Sequence, residues 1–511
     1  MNKALIYITL VLIGWGCTES FLEPYRQDPS EISGDAFWQD PGNANKVLTS
    51  AYVYLQSNGL YGRGLHEPLC LMTHEADLDW LNKDQWNQFN TNSVTSRNDQ
   101  IGGIWTSFYR VIRDANDVIE HEDAITPSPD FPQQKIDDII GQAYFLRAFS
   151  YMHLSNLFGE AYPATNPSAL SVPLVLSVPK TEEEFYLPRS TVEAVYLQME
   201  IDLKLAIDLI EKEERNTSDQ GRISKMAAIA QLGKIYLFWQ KYDKAIEQFE
   251  QVINSGHYSL LAKMSNVYDG NHEFNSESIL EWNYSALSEG FATAYDGGTY
   301  QQFTLIHGPV EQVLFANFYV SKHSLNRFGD DPRLTESVVQ IGDKVAVTAS
   351  GLKLPVRKYP VTRKFFNPEI VEPRDPGMTT NIVIIRLSDV MLMCAEAYNA
   401  TGNDAKAKDY VNMVRRRAYG KPVNTPDATV DFNLSGTALR DTIREERWKE
   451  LHYEGHRWYD IQRWRILEEE LAKVPQSTSG AVVFDEKDYY WPIPESELKT
   501  NPNLEQNELY N

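Results

Sequence analysis

The chain is 511 residues long, with 42% hydrophobic residues, a formal charge of −23 and three cysteines. That acidity repels phosphate backbones and excludes nucleic acid as a partner, and the cysteines are too few for a disulfide framework. The length suffices for a large core, in one big domain or a few, but 11 Trp, 28 Tyr and 21 Phe must either fill that core or work outside it.

At the start, Lys3 supplies a positive charge, Ala4 to Ile13 is an apolar run interrupted only by Thr9, and Gly14, Trp15 and Gly16 lead to Cys17. The order is that of an export signal, and the run is shorter than the roughly 20 residues of a bilayer span. A thiol directly after the small Gly16 resembles bacterial lipoprotein signals, although Gly14 stands where Leu is usual. That likeness implies removal of residues 1–16 and lipidation of Cys17; an ordinary secreted protein is the alternative. Without residues 1–16 the charge becomes −24, since one lysine and no acid is lost. No other segment reaches 18 uninterrupted apolar residues, so the body is expected to be peripheral and tethered. Residues 18–34 are polar and contain Pro24 and Pro29, a composition suited to an extended tether.

Residues 35–511 are predicted to form a single domain. Helical spacing of apolar residues predicts helices over 43–55, 101–121, 135–158, 191–212, 224–255, 383–418 and 438–471. Strand patterns are few: "SILEWNY" at 278–284 and "VVFDEKDYYWPI" at 482–493. Within the helices, Leu232, Gly233, Tyr236, Ala245 and Phe249 fit the tetratricopeptide pattern L-G-x2-Y…A-x3-F. Gly233 and Ala245 would let two helices approach while Tyr236 and Phe249 fill the gap. Ala395, Tyr398, Ala407 and Val411 repeat the offsets, and Ala148 with Tyr151 suggests a third copy. Between about 265 and 380 the helical period fades into text rich in Tyr, Phe, Gly and Asn, and residues 74–100 share that character; loops this long are usually functional.

The lipoprotein-like start, "RDANDVIE", "AYFLRAFSYMHLSNLFGEAYP" and, above all, "REERWKELHYEGHRWYDIQRW" followed by "YYWPIPESELKTNPNLEQNELY" resemble the SusD/RagB-like surface glycan-binding lipoproteins of the Gram-negative outer membrane. The likeness spans essentially the whole chain, with residues 444–511 as its most specific part. It implies an α-dominated fold on four tetratricopeptide-like units with long irregular insertions. It also implies surface exposure, an oligosaccharide ligand that is bound and not cleaved, and a partner, a SusC-like TonB-dependent barrel over which the protein sits as a lid.

The residues invite two other chemistries. His452 and His456, four apart on one predicted helix, would share a face, but a zinc-protease motif needs Glu after the first His and this chain has Tyr453, with Gly455 weakening the helix. The competing reading is structural: Arg447, Glu450, Glu454, Arg457, Asp460 and Arg463 form ion pairs over Trp448, Trp458 and Trp464. Asp77 and Asp79 near Trp80 invite a glycosidase reading, yet sequence cannot set the separation of two carboxylates among 71 acidic residues. No nucleotide, nucleophile-elbow or cofactor motif is present, so no metal or cofactor is expected.

A pyranose offers an apolar C–H face and a rim of hydroxyls, so a binder needs flat rings with amides or carboxylates beside them. Residues 74–100 supply Trp80, Trp86 and Phe89 near Asp79, Asn82, Asn87, Asn90 and Arg97; residues 282–303 supply Trp282, Tyr284, Phe291, Tyr295, Tyr300 and Phe303 near Asn283, Asp296 and Gln301, with Trp282 read as core. Expected glycan contacts are Trp80, Trp86, Asn87, Arg97, Tyr295, Asp296 and Tyr300. The reading is therefore a lipid-anchored, non-catalytic glycan-capture protein; a helical glycoside hydrolase and a protein-binding tetratricopeptide scaffold are the alternatives. Replacing Cys17 by Ala is expected to move the protein out of the membrane fraction; retention there, with no acyl mass on the native protein, would remove the anchor.

Overall fold

A computed structural model describes residues 37–78 except 58 and 63, and then 84–215, 219–284, 318–346, 353–355, 359–365, 380–474 and 482–511. The principal helices are α1 (Pro41–Gln56), α2 (Asp84–Asn90), α3 (Asp99–Glu120), α4 (Gln133–Phe158), α5 (Val192–Leu209), α6 (Lys225–Phe238), α7 (Tyr242–Ile253), α8 (Leu387–Ala400), α9 (Asp404–Ala418), α10 (Gly436–Leu451), α11 (Arg457–Trp464) and α12 (Glu495–Thr500). Several begin at a side chain that caps them, as the sequence signals suggest: Asn98 accepts from the Gln100 N–H, Thr191 from Ala194 and Ser224 from Ala227.

Four helix pairs form the scaffold: α1 with α3, α4 with α5, α6 with α7, and α8 with α9; they stack in series through α3 on α4, α5 on α6 and α7 on α8, and α10 closes the stack on α8 and α9. The repeat residues do what their sizes predict. A Cβ on Gly233 would lie 2.5 Å from Cε1 of Phe249, so only glycine allows α6 and α7 this approach. Successive units are also joined by equivalent hydrogen bonds: Tyr236 of α6 donates to Glu200 of α5 at 2.8 Å, and Tyr398 of α8 donates to Glu250 of α7 at 2.8 Å.

Three long predicted helices are divided. Residues 224–255 turn between α6 and α7 at Gln240 (φ 56°). Residues 383–418 begin as a strand, because Ile382–Arg386 is a short, fully buried run whose period cannot separate strand from helix. Residues 438–471 break after Leu451, where Tyr453 (φ 63°) and Gly455 (φ 77°) take left-handed backbone, and again after Trp464 at Arg465 (φ 56°). The strand expected over 482–493 is instead irregular chain around a 3-10 turn at Glu486–Tyr489; its alternating apolar residues Tyr489, Trp491 and Ile493 are buried, and the Trp491 N–H donates to the Leu157 carbonyl of α4.

The described strands form four antiparallel ribbons. These are β1 (Ala76–Leu78), β2 (Ser278–Trp282), β3 (Phe318–Val320), β4 (Val338–Val339), β5 (Lys344–Ala346), β6 (Lys353–Pro355), β7 (Val361–Thr362) and β8 (Ile382–Arg386), paired β1–β3, β2–β8, β4–β7 and β5–β6.

The acid-and-arginine signature is buried ion pairing. Arg386 contacts Glu450 at 2.6 Å, Glu277 at 2.9 Å and Glu454 at 2.8 Å. Arg417 also pairs with Glu277 and Glu450, Lys364 with Glu454, and Arg333 with Asp331 and Glu446. A second set links Arg447 to Asp389 and Asp460, and Arg463 to Asp460 and Glu396. Trp448 and Trp458 lie beneath, buried, whereas Trp464 is half-buried and donates to Glu396. Burial alone would raise the Glu454 pKa, but Arg386 and Lys364 hold it down at about 2, and Arg417, Arg386 and Arg333 hold Glu450 well below its ordinary value.

Removing one member of such a set strands its partners, so Glu450→Ala is expected to cost about 3–5 kcal/mol, against under about 1 kcal/mol for the exposed Lys473→Ala; denaturant unfolding measures both. The depressed carboxylates bind protons in the unfolded chain first, so their stabilisation is complete above their ordinary pKa of 4.5 and lost as pH falls toward 2. Burial lowers His456 from 6.5 to about 4 and His66 from 6.5 to about 3; the unfolded chain protonates these imidazoles first, so they act in the same direction but begin to withdraw stability already below about pH 6.5. Melting temperature is therefore expected to fall steeply below about pH 4.5; a flat profile down to pH 3 would contradict the buried network.

Candidate functional site

Strand alternation builds a small platform at β1 and β3. Asp77 lies opposite Tyr319 in the register, and both are half-buried on one face while Ala76, Phe318 and Val320 point into the core. The Val320 N–H donates to the Pro360 carbonyl at 2.9 Å, bringing residues 359–362 alongside. Tyr359 thereby stacks on Tyr319, with ring centroids 4.0 Å apart and planes 8° apart. Asp77 Oδ1 accepts from the Leu78 N–H at 2.7 Å and the Asn90 amide at 3.3 Å.

The pairing also roots the two aromatic-rich segments together. Residues 79–83 follow Leu78, residues 285–317 precede Phe318, and Leu78 pairs with Phe318, so antiparallel strands make both segments leave the same end of the ribbon. The start of the longer segment is fixed by Asn381, whose Oδ1 accepts from the Tyr284 N–H at 2.9 Å while its amide donates to Glu281 at 2.9 Å and its N–H to Glu273 at 2.8 Å. Burial pushes Glu273 up to about 7 and raises Glu281.

Of the predicted contacts, Trp80, Tyr295, Asp296 and Tyr300 lie outside the described residues, as do Asp79, Asn82, Phe291, Gln301, Phe303 and the lipidation candidate Cys17. Trp86 is a correction: it is 5% exposed, with its ring 5.2 Å from Phe318 and 6.2 Å from Phe89. Its place on α2 turns it inward to start an aromatic ladder, Phe89 to Trp491 to Phe158 to Trp105, that fastens the platform to the scaffold. Asn87 is half-buried on α2; Arg97 is exposed and pairs at 3.1 Å with Glu495 of α12. Trp282 is core, as read from its strand. Tyr319 and Tyr359 were not singled out in the sequence; the in-out-in pattern of "FYV" inside the loop-rich zone was the signal available.

The zinc reading fails on backbone geometry. His452 follows the end of α10 and His456 precedes α11, so they share no helix face, and His452 is buried against Trp448 and Phe328 with its pKa pushed far down by burial. Among the described residues no group of three His, Cys, Asp or Glu side chains could hold a metal, Cys70 and Cys394 are buried free thiols, and no helix is long and apolar enough to cross a membrane.

Two family models match the chain: one described as the SusD family over residues 355–510, the other as starch-binding associating with outer membrane over residues 30–237. The chain belongs to the SusD/RagB-like family. A SusD-like protein of Formosa agariphila, P25, is 25% identical across 100% of this chain and 99% of its own. The SusD-like fold itself is shared with a solved SusD-like protein of Bacteroides fragilis, at a TM-score of 0.75 and 20% identity over 94% of this chain and 100% of that one. A laminarin-binding SusD-like protein superposes at a TM-score of 0.69, with 23% identity over 92% and 100% of the two chains. The helix-pair scaffold and the C-terminal signature thus stand on family, fold and geometry alike.

Trp86 and Tyr319 are expected to separate on substitution. Trp86→Ala empties a core position and should cost about 3–5 kcal/mol, whereas Tyr319→Ala loses a half-exposed ring contact of about 0.5–1.5 kcal/mol. Equal losses in chemical denaturation would remove the distinction between ladder and platform.

Proposed function

We propose that this SusD-like protein captures an oligosaccharide outside the cell and passes it, uncleaved, to a SusC-like TonB-dependent barrel, held at the outer membrane through a lipidated Cys17. The observation that carries the reading is the β1–β3 pairing, which roots residues 79–83 and 285–317 at one end of a ribbon beside the stacked Tyr319–Tyr359 pair. Trp80, Tyr295 and Tyr300 would cover sugar faces from those segments, and Asp296 would take hydroxyls. Asn87 and Arg97 are polar groups of the neighbouring segment, and Trp86 supports the site from beneath. The matching family model's own description, starch-binding and outer-membrane-associated, supports both ligand class and location.

Binding without chemistry fits the electrostatics of the described chain. Its dense cluster of carboxylates is buried and locked to arginines and lysines, so those acids serve the fold.

The test is calorimetry with an oligosaccharide found by screening. Each of Trp80→Ala, Tyr295→Ala, Tyr300→Ala and Tyr319→Ala is expected to weaken binding several-fold, as a ring contact of about 0.5–1.5 kcal/mol implies, with melting temperature nearly unchanged. Unchanged affinity in all four would place the ligand elsewhere.

A further inference from the structure

A groove of about 400 Å³ runs beside α3, and no residue of β1 or β3 lines it. Trp105 and Tyr109 line it from α3, and Pro173, Phe185 and Leu187 from the chain between α4 and α5. The Glu497 carboxylate of α12 is spent on the Trp105 indole. Phe185 ends a one-turn helix, Glu182–Phe185, that a capping box at Thr181 fixes, and it is 63% exposed. A large ring held open beside an apolar groove is the mark of an interaction surface.

The rim is basic, on a chain of formal charge −23. Arg110 and Arg113 of α3 are exposed there, with their guanidinium carbons 5.6 and 5.9 Å from the centroid of Tyr54 on α1. Arg113 pairs at 2.6 Å with its neighbour Asp114, whereas Arg110 has no carboxylate partner among the described residues. Such a groove fits apolar side chains that carry a carboxylate among them. The chain itself holds that sequence: Phe21, Leu22, Glu23, Pro24 and Tyr25, in the tether of residues 18–36, which lies outside the described residues. The tether also joins the body at the groove's own helix. Trp38 stacks on His121 at the end of α3, with centroids 4.3 Å and planes 5° apart, and Thr106, Arg110, Arg113, Asp117 and His121 share one face by helical spacing. From His121 back to Arg113 the helix rises about 12 Å, while the chain from Phe37 back to Tyr25 can extend to about 40 Å.

We propose that the tether folds back along α3 and seats Phe21, Leu22 and Tyr25 in this groove, with Glu23 against Arg110. Pro24 biases the segment toward extended backbone, which lowers the entropy lost on docking. Attachment to the same chain raises the effective concentration to about millimolar, so a few apolar contacts and one ion pair suffice. Only Thr18, Glu19 and Ser20 then separate Phe21 from Cys17, a reach of about 14 Å, and the α3 side of the body is held close to the membrane. That orientation rests on the lipidated Cys17 proposed above; the docking does not.

Fluorescence polarisation with a labelled peptide of residues 18–36 tests the docking in full-chain protein. The samples are the native protein, a tether variant carrying Phe21→Ser, Leu22→Ser and Tyr25→Ser, and that variant with Arg110→Glu or Phe185→Ser added, all in one detergent and each checked by melting curve. The peptide is expected to bind the tether variant, whose groove is vacated, and to bind the native protein at least about tenfold more weakly, because its own tether competes. Affinity for the tether variant is expected to fall about threefold or more with Arg110→Glu and about tenfold with Phe185→Ser. No binding to the tether variant, binding that ignores both groove substitutions, or equal binding to native protein and tether variant would overturn the proposal. So would light scattering that finds a native dimer and a monomeric tether variant, since the tether would then sit on a second copy.

Discussion

Arg386, 1% exposed at the end of β8, shares Glu277, Glu450 and Glu454 with Arg417 and Lys364, so five segments far apart in sequence meet around charges that water barely screens. Taking such groups out of water is costly, and the cost is offset only when every partner is in place. The constraint positions more than the C-terminal signature. Glu277 immediately precedes β2 and Arg386 ends β8, so the network clamps one end of the ribbon whose other end, through Asn381 and Tyr284, opens into residues 285–317. Scaffold closure and the rooting of the longest aromatic-rich segment are therefore one electrostatic event.

The scaffold was largely legible in the sequence because its helices are long and periodic, and because Gly233, Ala245 and Phe249 encode an interhelical distance directly. What periodicity could not supply was where a helix stops. The breaks at Gln240 and Arg465 use non-glycine residues in left-handed backbone, which carry no composition signal; at the break after Leu451 Gly455 was the signal, though Tyr453 also takes left-handed backbone, and Ile382–Arg386 is apolar on both faces, so helix and strand look alike. The site was legible only by zone. Trp86 and Tyr319 are both aromatic residues in loop-rich text, and their opposite fates depend on a tertiary fact, the pairing of β1 with β3, that no local pattern contains.

That pairing divides the aromatic residues between two tasks. One set, from Phe318 through Trp86, Phe89, Trp491 and Phe158 to Trp105, is a packed ladder whose edge-on and tilted contacts hold the platform to α3 and α4. The other, Tyr319 with Tyr359 and the rings of the adjoining segments, is the recognition surface we propose. Membership of the SusD/RagB-like family explains why this chain has the scaffold, but a fold alone does not dictate a ligand.

The function we propose is binding of a glycan that is left intact. Incubating the protein with a panel of oligosaccharides, measuring retention by affinity electrophoresis and analysing the recovered sugars by chromatography tests it. Retention of at least one oligosaccharide at unchanged chain length is the predicted result. Shortened products that depend on the protein, or no retention of any glycan, would contradict it.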